Sequence, residues 1–136
     1  MLRNTFLHIP GVGPKMERTI WSGGILSWDD LLREGSAHFS PTKRDIINRR
    51  LEDSLGQLAT GNPKHFAETI PANQHWRFFP EFRESTAYLD IETTGLDSRN
   101  NEITTIALYD GKAIFTYVQG RNLDEFKEDI QRYKVI

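Results

Sequence analysis

Two carboxylates, Asp90 and Glu92, stand two positions apart in a segment rich in strand-forming residues. Residues two apart on a β-strand project to the same face, so this spacing predicts that Asp90 and Glu92 point together while Leu89 and Ile91 point to the opposite face. The apolar flanking residues lead us to expect a central, buried strand. Neighbouring carboxylates in such a strand repel each other and lose hydration, which a divalent cation compensates. Carboxylate oxygens are the ligands that Mg²⁺ and Mn²⁺ prefer.

A simpler arrangement explains the same spacing, with both acids facing water on the outer side of a half-exposed strand. The surrounding sequence favours the metal site, because residues 90–96 (Asp-Ile-Glu-Thr-Thr-Gly-Leu) resemble the first motif of the DEDD exonucleases of the ribonuclease-H-like superfamily. In those enzymes an Asp and a Glu two apart on the first strand hold two metal ions. The resemblance implies that Asp90 and Glu92 are catalytic metal ligands. It also implies that Thr93 and Thr94 contact the substrate, unless they only shape the strand end.

The activity that this resemblance implies is 3′–5′ exonucleolytic hydrolysis of nucleic acid by a two-metal mechanism with Mg²⁺ or Mn²⁺, with DNA favoured over RNA. One ion activates a water molecule as the nucleophile, and the other stabilises charge on the leaving oxygen. The family also needs two Asp residues and a His or Tyr base from later motifs, and the sequence ends before them. We therefore expect this chain to be an incomplete portion of the enzyme and inactive alone.

The residues around the carboxylate pair predict the beginning of a mixed α/β domain. Strand-forming residues fill positions 86–91, 103–109 and 112–118, and Asp110-Gly111 between the last two is a strong hairpin signal. Asn122 is then a predicted helix cap, and Val135-Ile136 has the composition of a further strand. This order matches a ribonuclease-H-like sheet that begins with an antiparallel β-meander. The predicted helix has an apolar face formed by Leu123, Phe126, Ile130 and Tyr133.

The first part of the chain predicts a small all-α module. Ser27 and Ser40 precede two predicted helices as N-caps, and Gly61 suits the left-handed residue that follows the second. We expect this module to span residues 1–75 and the α/β part to span residues 76–136. The α/β part would open with an aromatic linker that contains Trp76, Phe78 and Phe79.

A glycine-rich turn, residues 10–15 (Pro-Gly-Val-Gly-Pro-Lys), precedes the first predicted helix. It resembles the hairpin of a helix-hairpin-helix element, in which backbone N–H groups at the start of a helix meet a DNA phosphate. The resemblance implies DNA-backbone contacts at Gly11, Gly13 and Lys15. A plain interhelix turn is equally compatible, because the segment before it is short for a full helix and Glu17 adds a negative charge nearby.

Two further segments, residues 28–32 and 120–123, extend the resemblance over nearly the whole chain. The family indicated is bacterial, and its members carry a helical leader in front of a ribonuclease-H-like exonuclease domain. A second hypothesis, from another functional class, is a non-catalytic nucleic-acid-binding or interaction module that keeps the fold. An ATPase of the related actin-like fold is disfavoured, because Glu92 stands where its first strand has a phosphate-loop glycine.

Composition excludes several other classes. The 136 residues include no cysteine, which excludes disulfides and thiolate metal sites. No apolar run approaches the roughly 20 residues that cross a bilayer, and no secretion signal opens the chain, so we expect a cytoplasmic protein without a membrane partner. The net charge of −2 divides into +1 over residues 1–75 and −3 over residues 76–136, unlike a strongly basic nucleic-acid-coating protein.

The remaining titratable residues receive ordinary assignments. No serine–histidine arrangement is recognisable, and Arg49 and Arg50 are expected on a solvated helix face. The other candidate acids fall in predicted turns, in the hairpin and on an exposed helix: Asp97, Glu102, Asp110 and Asp129. The histidines are scattered and are expected in surface or linker positions: His8, His38, His65 and His75.

Overall fold

Helix signals fill the first part of the chain and strand signals the second, and the computed structural model keeps this order. It describes residues 1–34, 39–95 and 101–136; His38, Leu96 and Asp97 lie outside the described residues. The described part is mixed α/β, which confirms the predicted fold class. Two units divide the chain, Met1–Glu81 and Phe82–Ile136. The domain boundary expected after residue 75 lies within the first unit, and the assignment of separate domains stays a prediction.

The helices of the first unit begin and end at the residue types that helix ends favour. Ser27 caps its helix as predicted, since its Oγ accepts a hydrogen bond from the Asp30 N–H at 3.2 Å. Ser40 is the N-cap residue of its helix as predicted, although its side chain makes no cap bond. Gly61 is left-handed, with φ of 64°, as predicted. The α-helices are α1 (Pro14–Ser22), α2 (Trp28–Arg33), α3 (Pro41–Ala59), α4 (Pro63–Thr69) and α5 (Phe79–Phe82). The last residue of α5, Phe82, is the first residue of the second unit.

Trp28 lies at the centre of the first unit's core. Its side chain is fully buried, and its indole N–H donates to the Thr5 carbonyl at 2.6 Å, which satisfies the one polar atom of the ring. The ring stacks on Phe66 with centroids 6.2 Å apart. Further buried apolar side chains come from every part of the unit: Leu2, Phe6, Ile9, Ile20, Leu31, Ile47, Leu51, Ile70 and Phe78. Helix α3 therefore faces this core through Ile47 and Leu51.

The second unit is built on an antiparallel meander. Its strands are β1 (Tyr88–Thr93), β2 (Ile103–Tyr109) and β3 (Ile114–Val118), hydrogen-bonded in the order β1-β2-β3. The predicted hairpin between β2 and β3 is confirmed, with Gly111 at φ of 90°. The Asp110 carboxylate accepts hydrogen bonds from the N–H groups of Lys112 and Ala113, each at 2.8 Å, and closes the turn. These bonds hold the pKa of Asp110 below its usual value.

The chain after β3 covers one face of this sheet. It forms a 3₁₀-helix at Leu123–Glu125, α6 (Phe126–Asp129) and a 3₁₀-helix at Ile130–Arg132. The predicted apolar face is confirmed, because Leu123, Phe126, Ile130 and Tyr133 pack on a core of Ala87, Ile106, Leu108 and Tyr117. Asn122 is the N-cap residue as predicted, but its side chain makes no cap bond. It accepts from the Val118 N–H and donates to the Thr116 carbonyl, which ties the segment to the end of β3.

The end of the sequence lies beside the beginning of β1. Val135 forms an isolated parallel bridge with Thr86, and the Ala87 N–H donates to the Val135 carbonyl at 2.9 Å. The strand composition of Val135-Ile136 is thus realised as a single bridge. Among the described residues, no helix is both long and apolar enough to span a bilayer.

Candidate active site and nucleic-acid contacts

Strand β1 carries both candidate carboxylates. In its ladder with β2, Asp90 lies opposite Ala107 and Glu92 lies opposite Thr105. Positions two apart on a strand share a face and have Cα atoms about 7 Å apart. Leu89, which precedes Asp90 and therefore projects to the other face, packs on the core of the unit. This register is consistent with the predicted arrangement, in which the two acids share the face opposite the core.

The expectation of a buried, central strand is wrong for the described residues. β1 is the edge strand of the sheet, and the Thr86–Val135 bridge is the pairing found on its outer side. Asp90 and Glu92 are exposed, and Ile91 is 47% exposed. The cause is topological, because β2 is the one strand that pairs along β1 in the described residues. Apolar residues on either side of the acids could be read from the sequence, but the pairing of strands could not. Since water solvates both carboxylates, their mutual repulsion does not itself demand a cation.

Thr93 and Thr94 lie where β1 ends, and their hydroxyls make local bonds. The Thr93 hydroxyl donates to the Gly95 carbonyl at 2.9 Å, and the Thr94 hydroxyl accepts from the Glu102 N–H at 3.2 Å. The ladder also shifts register between Glu92 and Thr93. These bonds give both threonines a part in shaping the strand end, and their contact with substrate stays a prediction.

Three further candidate acids of the second unit have hydrogen-bond partners other than Asp90 and Glu92. Glu102 accepts from the Gln119 side chain at 2.6 Å, and Asp110 holds the hairpin turn. Asp129 accepts from the Tyr117 hydroxyl at 2.8 Å and pairs with Arg132. The expected turn and hairpin positions are therefore confirmed for Glu102 and Asp110, whereas Asp129 lies on the predicted helix but is half-buried and not exposed. Sequence could not show the Tyr117–Asp129 bond, because it joins a strand to a helix through tertiary packing.

The donor set on β1 matches part of a magnesium or manganese site. Mg²⁺ keeps several waters and takes one or two carboxylates together with substrate phosphates, so two exposed acids on one face suffice for a first contact. Within residues 1–34, 39–95 and 101–136, no group of three or more acidic, histidine or cysteine side chains is placed to hold a metal ion. Asp90 and Glu92 therefore fit the chemistry of the ion as a pair and form no closed protein site.

The glycine-rich turn leads directly into α1. Gly11 is left-handed with φ of 79°, while Gly13 is the extended N-cap residue with φ of −93°. Pro14 opens the helix, and its first intrahelical bond joins the Glu17 N–H to the Gly13 carbonyl at 2.9 Å. The N–H groups of Lys15 and of the next residue precede that bond, so they are free of intrahelical partners. Before the turn, the structure has a 3₁₀-helix, Leu2–Asn4, in place of a full first helix.

Glu17 does not oppose an anion at this helix start. Its side chain is buried and accepts hydrogen bonds from the Thr5 hydroxyl at 2.6 Å and the Phe6 N–H at 2.8 Å. Arg77 lies 3.1 Å from its second oxygen. The expectation that Glu17 adds a negative charge beside the turn is therefore wrong, because the carboxylate is neutralised inside the unit. Sequence missed this, since Arg77 is 60 positions away.

Histidines of the first unit are less exposed than expected. His8 is buried, 3% exposed, and its ring centroid lies 4.8 Å from that of Trp28. His65 is half-buried against Ser54, and His75 bonds the Ile70 carbonyl at 3.0 Å. The surface assignment is wrong for His8, and the fold supplies His65 and His75 with specific partners.

A serine–histidine–aspartate arrangement is present that sequence did not predict. Ser54 Oγ lies 3.0 Å from His65 Nε2, and His65 Nδ1 lies 3.8 Å from an Asp53 oxygen. Ser54 is completely buried, however, so its hydroxyl cannot reach a substrate carbonyl. We assign this group to the packing of α3 against α4.

The predicted aromatic linker is ordered against the first unit. Phe78 is buried, while Trp76 is 58% exposed. The Arg77 guanidinium lies over the rings of Trp21 and Trp76, at 5.6 Å and 5.3 Å from their centroids. The segment is therefore anchored by Phe78 and by the Arg77–Glu17 pair.

Comparison with known protein families gave one match, which lies in the second unit. Residues 87–136 match the model of the RNase_H superfamily. The matched segment contains β1, β2, β3 and both carboxylates, so it supports a ribonuclease-H-like domain in this part of the chain. Nucleases with this fold generally use divalent metal ions, and the fold favours a nucleic-acid substrate. Comparisons with curated proteins and with solved structures gave no match.

Proposed function

We propose that the protein is a metal-dependent 3′–5′ exonuclease of the DEDD type that hydrolyses nucleic acid, with DNA favoured over RNA. The observation that carries the proposal is the position of Asp90 and Glu92, two apart on β1, inside the segment that matches the RNase_H superfamily. Their exposure leaves both carboxylates accessible to a metal ion and to a phosphodiester.

In this proposal Asp90 and Glu92 hold Mg²⁺ or Mn²⁺ at the end of β1. Bound divalent ions supply an activated water and neutralise charge on the leaving oxygen. Asp90 would hold the ions, and Glu92 would complete one ligand shell and orient the attacking water. Thr93 and Thr94 position the terminal nucleotide through the backbone at the strand end, because their hydroxyls already bond within the turn.

Hydrolysis of a 5′-labelled single-stranded oligonucleotide tests this function. With Mg²⁺ or Mn²⁺ the proposal predicts that a longer chain, which also carries the two later Asp residues and the base, yields a ladder of products shortened from the 3′ end, and no products in EDTA. Asp90→Ala should abolish the ladder while the circular dichroism spectrum is retained. Asp110→Asn is the matched control, since Asp110 is an acid of the same sheet that closes the hairpin turn. Ladder formation unaffected by Asp90→Ala would refute the assignment.

A non-catalytic nucleic-acid-binding module is the second candidate, and one observation favours it. Both carboxylates are solvated, and the described residues supply no third ligand for a metal ion. Oligonucleotide binding without hydrolysis over a full Mg²⁺ and Mn²⁺ titration would support this module over the exonuclease.

For either function we propose that the glycine turn contacts the nucleic-acid backbone through Gly11, Gly13 and Lys15. Supporting features are the free N–H groups at the start of α1 and the burial of Glu17 away from that start. Lys15→Glu should weaken binding and reduce its salt dependence. An unchanged salt dependence would instead assign residues 10–15 to a plain turn.

A further inference from the structure

An open groove of about 480 Å³ lies beside the glycine turn in the first unit. Residues 7–13 form one wall, and Arg50 of α3 and Thr69 of α4 complete the lining. Arg50 belongs to the pair of arginines expected on a solvated helix face. The structure separates them, because Arg49 is exposed while Arg50 is half-buried and lines the groove.

His8 gives this groove an unusual polar group. Among the described residues, neither of its ring nitrogens has a hydrogen-bond partner, although the residue is only 3% exposed. Buried polar atoms are almost always hydrogen-bonded, and leaving one unpaired costs about 1–3 kcal/mol. The imidazole is uncharged, because burial, followed by the proximity of His65 and Arg50, lowers the pKa of His8 to about 3. A neutral imidazole still offers one N–H donor.

Charge in the groove favours an anion. The Arg50 guanidinium lies 3.8 Å from Asp53, which is a loose pair at the exposed side of the helix. The opposite wall contributes the backbone of the glycine turn, which ends at Gly13, the N-cap residue of α1. A guanidinium, backbone donors and an imidazole donor form a set that matches the oxygens of a phosphate group.

We propose that this groove binds a backbone phosphate of a nucleic acid, with Arg50 supplying the charge and His8 a buried hydrogen-bond donor. The inference rests on the nucleic-acid ligand of the proposed function and is independent of metal chemistry. It extends the glycine-turn contact across the groove to α3, so that the turn and α3 contact the same nucleic-acid strand. Arg50 and His8 act in binding and have no part in hydrolysis.

Binding of a fluorescein-labelled oligothymidylate in EDTA tests the proposal. Arg50→Gln should weaken binding roughly tenfold and lower the slope of log affinity against log salt by about 0.7, as for loss of one phosphate contact on a single strand. Arg49→Gln is the matched control, since it removes the same charge one residue away outside the groove. Equal losses in the two variants would overturn the site, because they would indicate general electrostatic attraction.

Gly13→Ala is a second variant that keeps the test valid. Gly13 has an ordinary φ, and an added methyl group would meet no atom of the chain within 4 Å. The fold should therefore be retained, whereas a phosphate approaching the turn should be obstructed and bind at least threefold more weakly. Unchanged binding in both Gly13→Ala and Arg50→Gln would overturn the proposal.

Two further arms identify the source of the phosphate and separate this inference from the nuclease proposal. Inorganic phosphate and thymidine monophosphate should compete with the oligonucleotide only at concentrations at least a hundredfold higher. Competition at equal phosphate concentration would overturn the nucleic-acid assignment in favour of a small phosphate compound. The Asp90→Asn variant should bind the oligonucleotide in EDTA as tightly as the unmodified chain does. If Asp90 proves not to be a metal ligand, the binding measured at the groove is therefore unaffected.

Discussion

The groove beside the glycine turn and the outer face of β1 hold their polar groups in opposite environments. In the groove, His8 is buried without a hydrogen-bond partner among the described residues, and Glu17 nearby is buried with three partners. On β1, Asp90 and Glu92 are exposed to water. Buried polar groups affect folding energy strongly, whereas exposed ones affect it little. The comparison therefore predicts that removing a buried polar group of the first region changes stability and that substitutions of the β1 acids change metal-ion binding.

Removal of the Glu17 carboxylate should give the largest effect. Glu17→Ala leaves Arg77 half-buried without its counter-charge and deprives the Thr5 hydroxyl and Phe6 N–H of their acceptor. We expect the free energy of unfolding to fall by about 3–5 kcal/mol. Urea denaturation followed by tryptophan fluorescence measures it. The exposed Glu52, replaced by Ala, should change stability by less than about 0.5 kcal/mol. Equal effects of the two substitutions would remove the distinction.

The pH dependence of stability should report on His8. The folded chain holds the pKa of His8 at about 3, while the unfolded chain has the ordinary value of 6.5. As pH falls below 6.5, His8 binds a proton in the unfolded state but not in the folded state. Its contribution to the free energy of unfolding is therefore fully present above pH 6.5 and decreases toward pH 3. At pH 4.5 this loss amounts to about 3 kcal/mol.

The variant His8→Leu isolates this contribution. It should match or slightly exceed the unmodified chain in stability at pH 7, because an unpaired polar group is removed, and exceed it by about 3 kcal/mol at pH 4.5. Parallel stability curves for the two chains between pH 7 and 4.5 would show that His8 is not buried in its neutral form.

Gly11 and Gly13 should differ in stability by a smaller amount. Gly11 has φ of 79°, so Gly11→Ala places a side chain in the left-handed region at a cost of about 1 kcal/mol. Gly13 lies in an extended conformation with open space around it, so Gly13→Ala should leave stability nearly unchanged. Thermal denaturation of the two variants compares them. A larger loss for Gly13→Ala would show that the turn adopts another conformation.

The smallest effect on stability is expected at the β1 acids. Asp90→Asn and Glu92→Gln change exposed side chains and should alter the free energy of unfolding by less than about 0.5 kcal/mol. In the same sheet Leu108→Ala removes a fully buried side chain and should cost about 2–5 kcal/mol. Substantial destabilisation by either acid substitution would mean that the pair serves folding.

Local signals predicted much of the fold. The span of β2, the turn at Asp110-Gly111 and the Ser27 cap depend on residues close in sequence, and all three are confirmed. The apolar face after β3 was also predictable, because helical periodicity fixes which residues point together. The side chains of Ser40 and Asn122 make no cap bonds, although both residues precede helices. Sequence gives the residue type but not the competing partner, which for Asn122 is the Val118 N–H at the end of β3.

Features that depend on distant residues could not be predicted. Arg77, 60 positions away, neutralises Glu17, and the edge position of β1 depends on which strands pair with it. Burial of His8 against Trp28 likewise has no local signal. For the candidate site, sequence supplied the identity of Asp90 and Glu92 and their shared face, while their exposure came from the topology of the sheet.

Paramagnetic broadening by Mn²⁺ tests the metal site on β1 most directly, because it does not require hydrolysis. Substoichiometric Mn²⁺ added to ¹⁵N-labelled chain should selectively broaden the amide signals of residues 89–93 and of their neighbours opposite on β2. Asp90→Asn combined with Glu92→Gln should abolish this broadening, and Asp110→Asn should leave it intact. Broadening centred on another group of acids, or equal broadening in the double variant, would contradict the assignment of Asp90 and Glu92 as metal ligands.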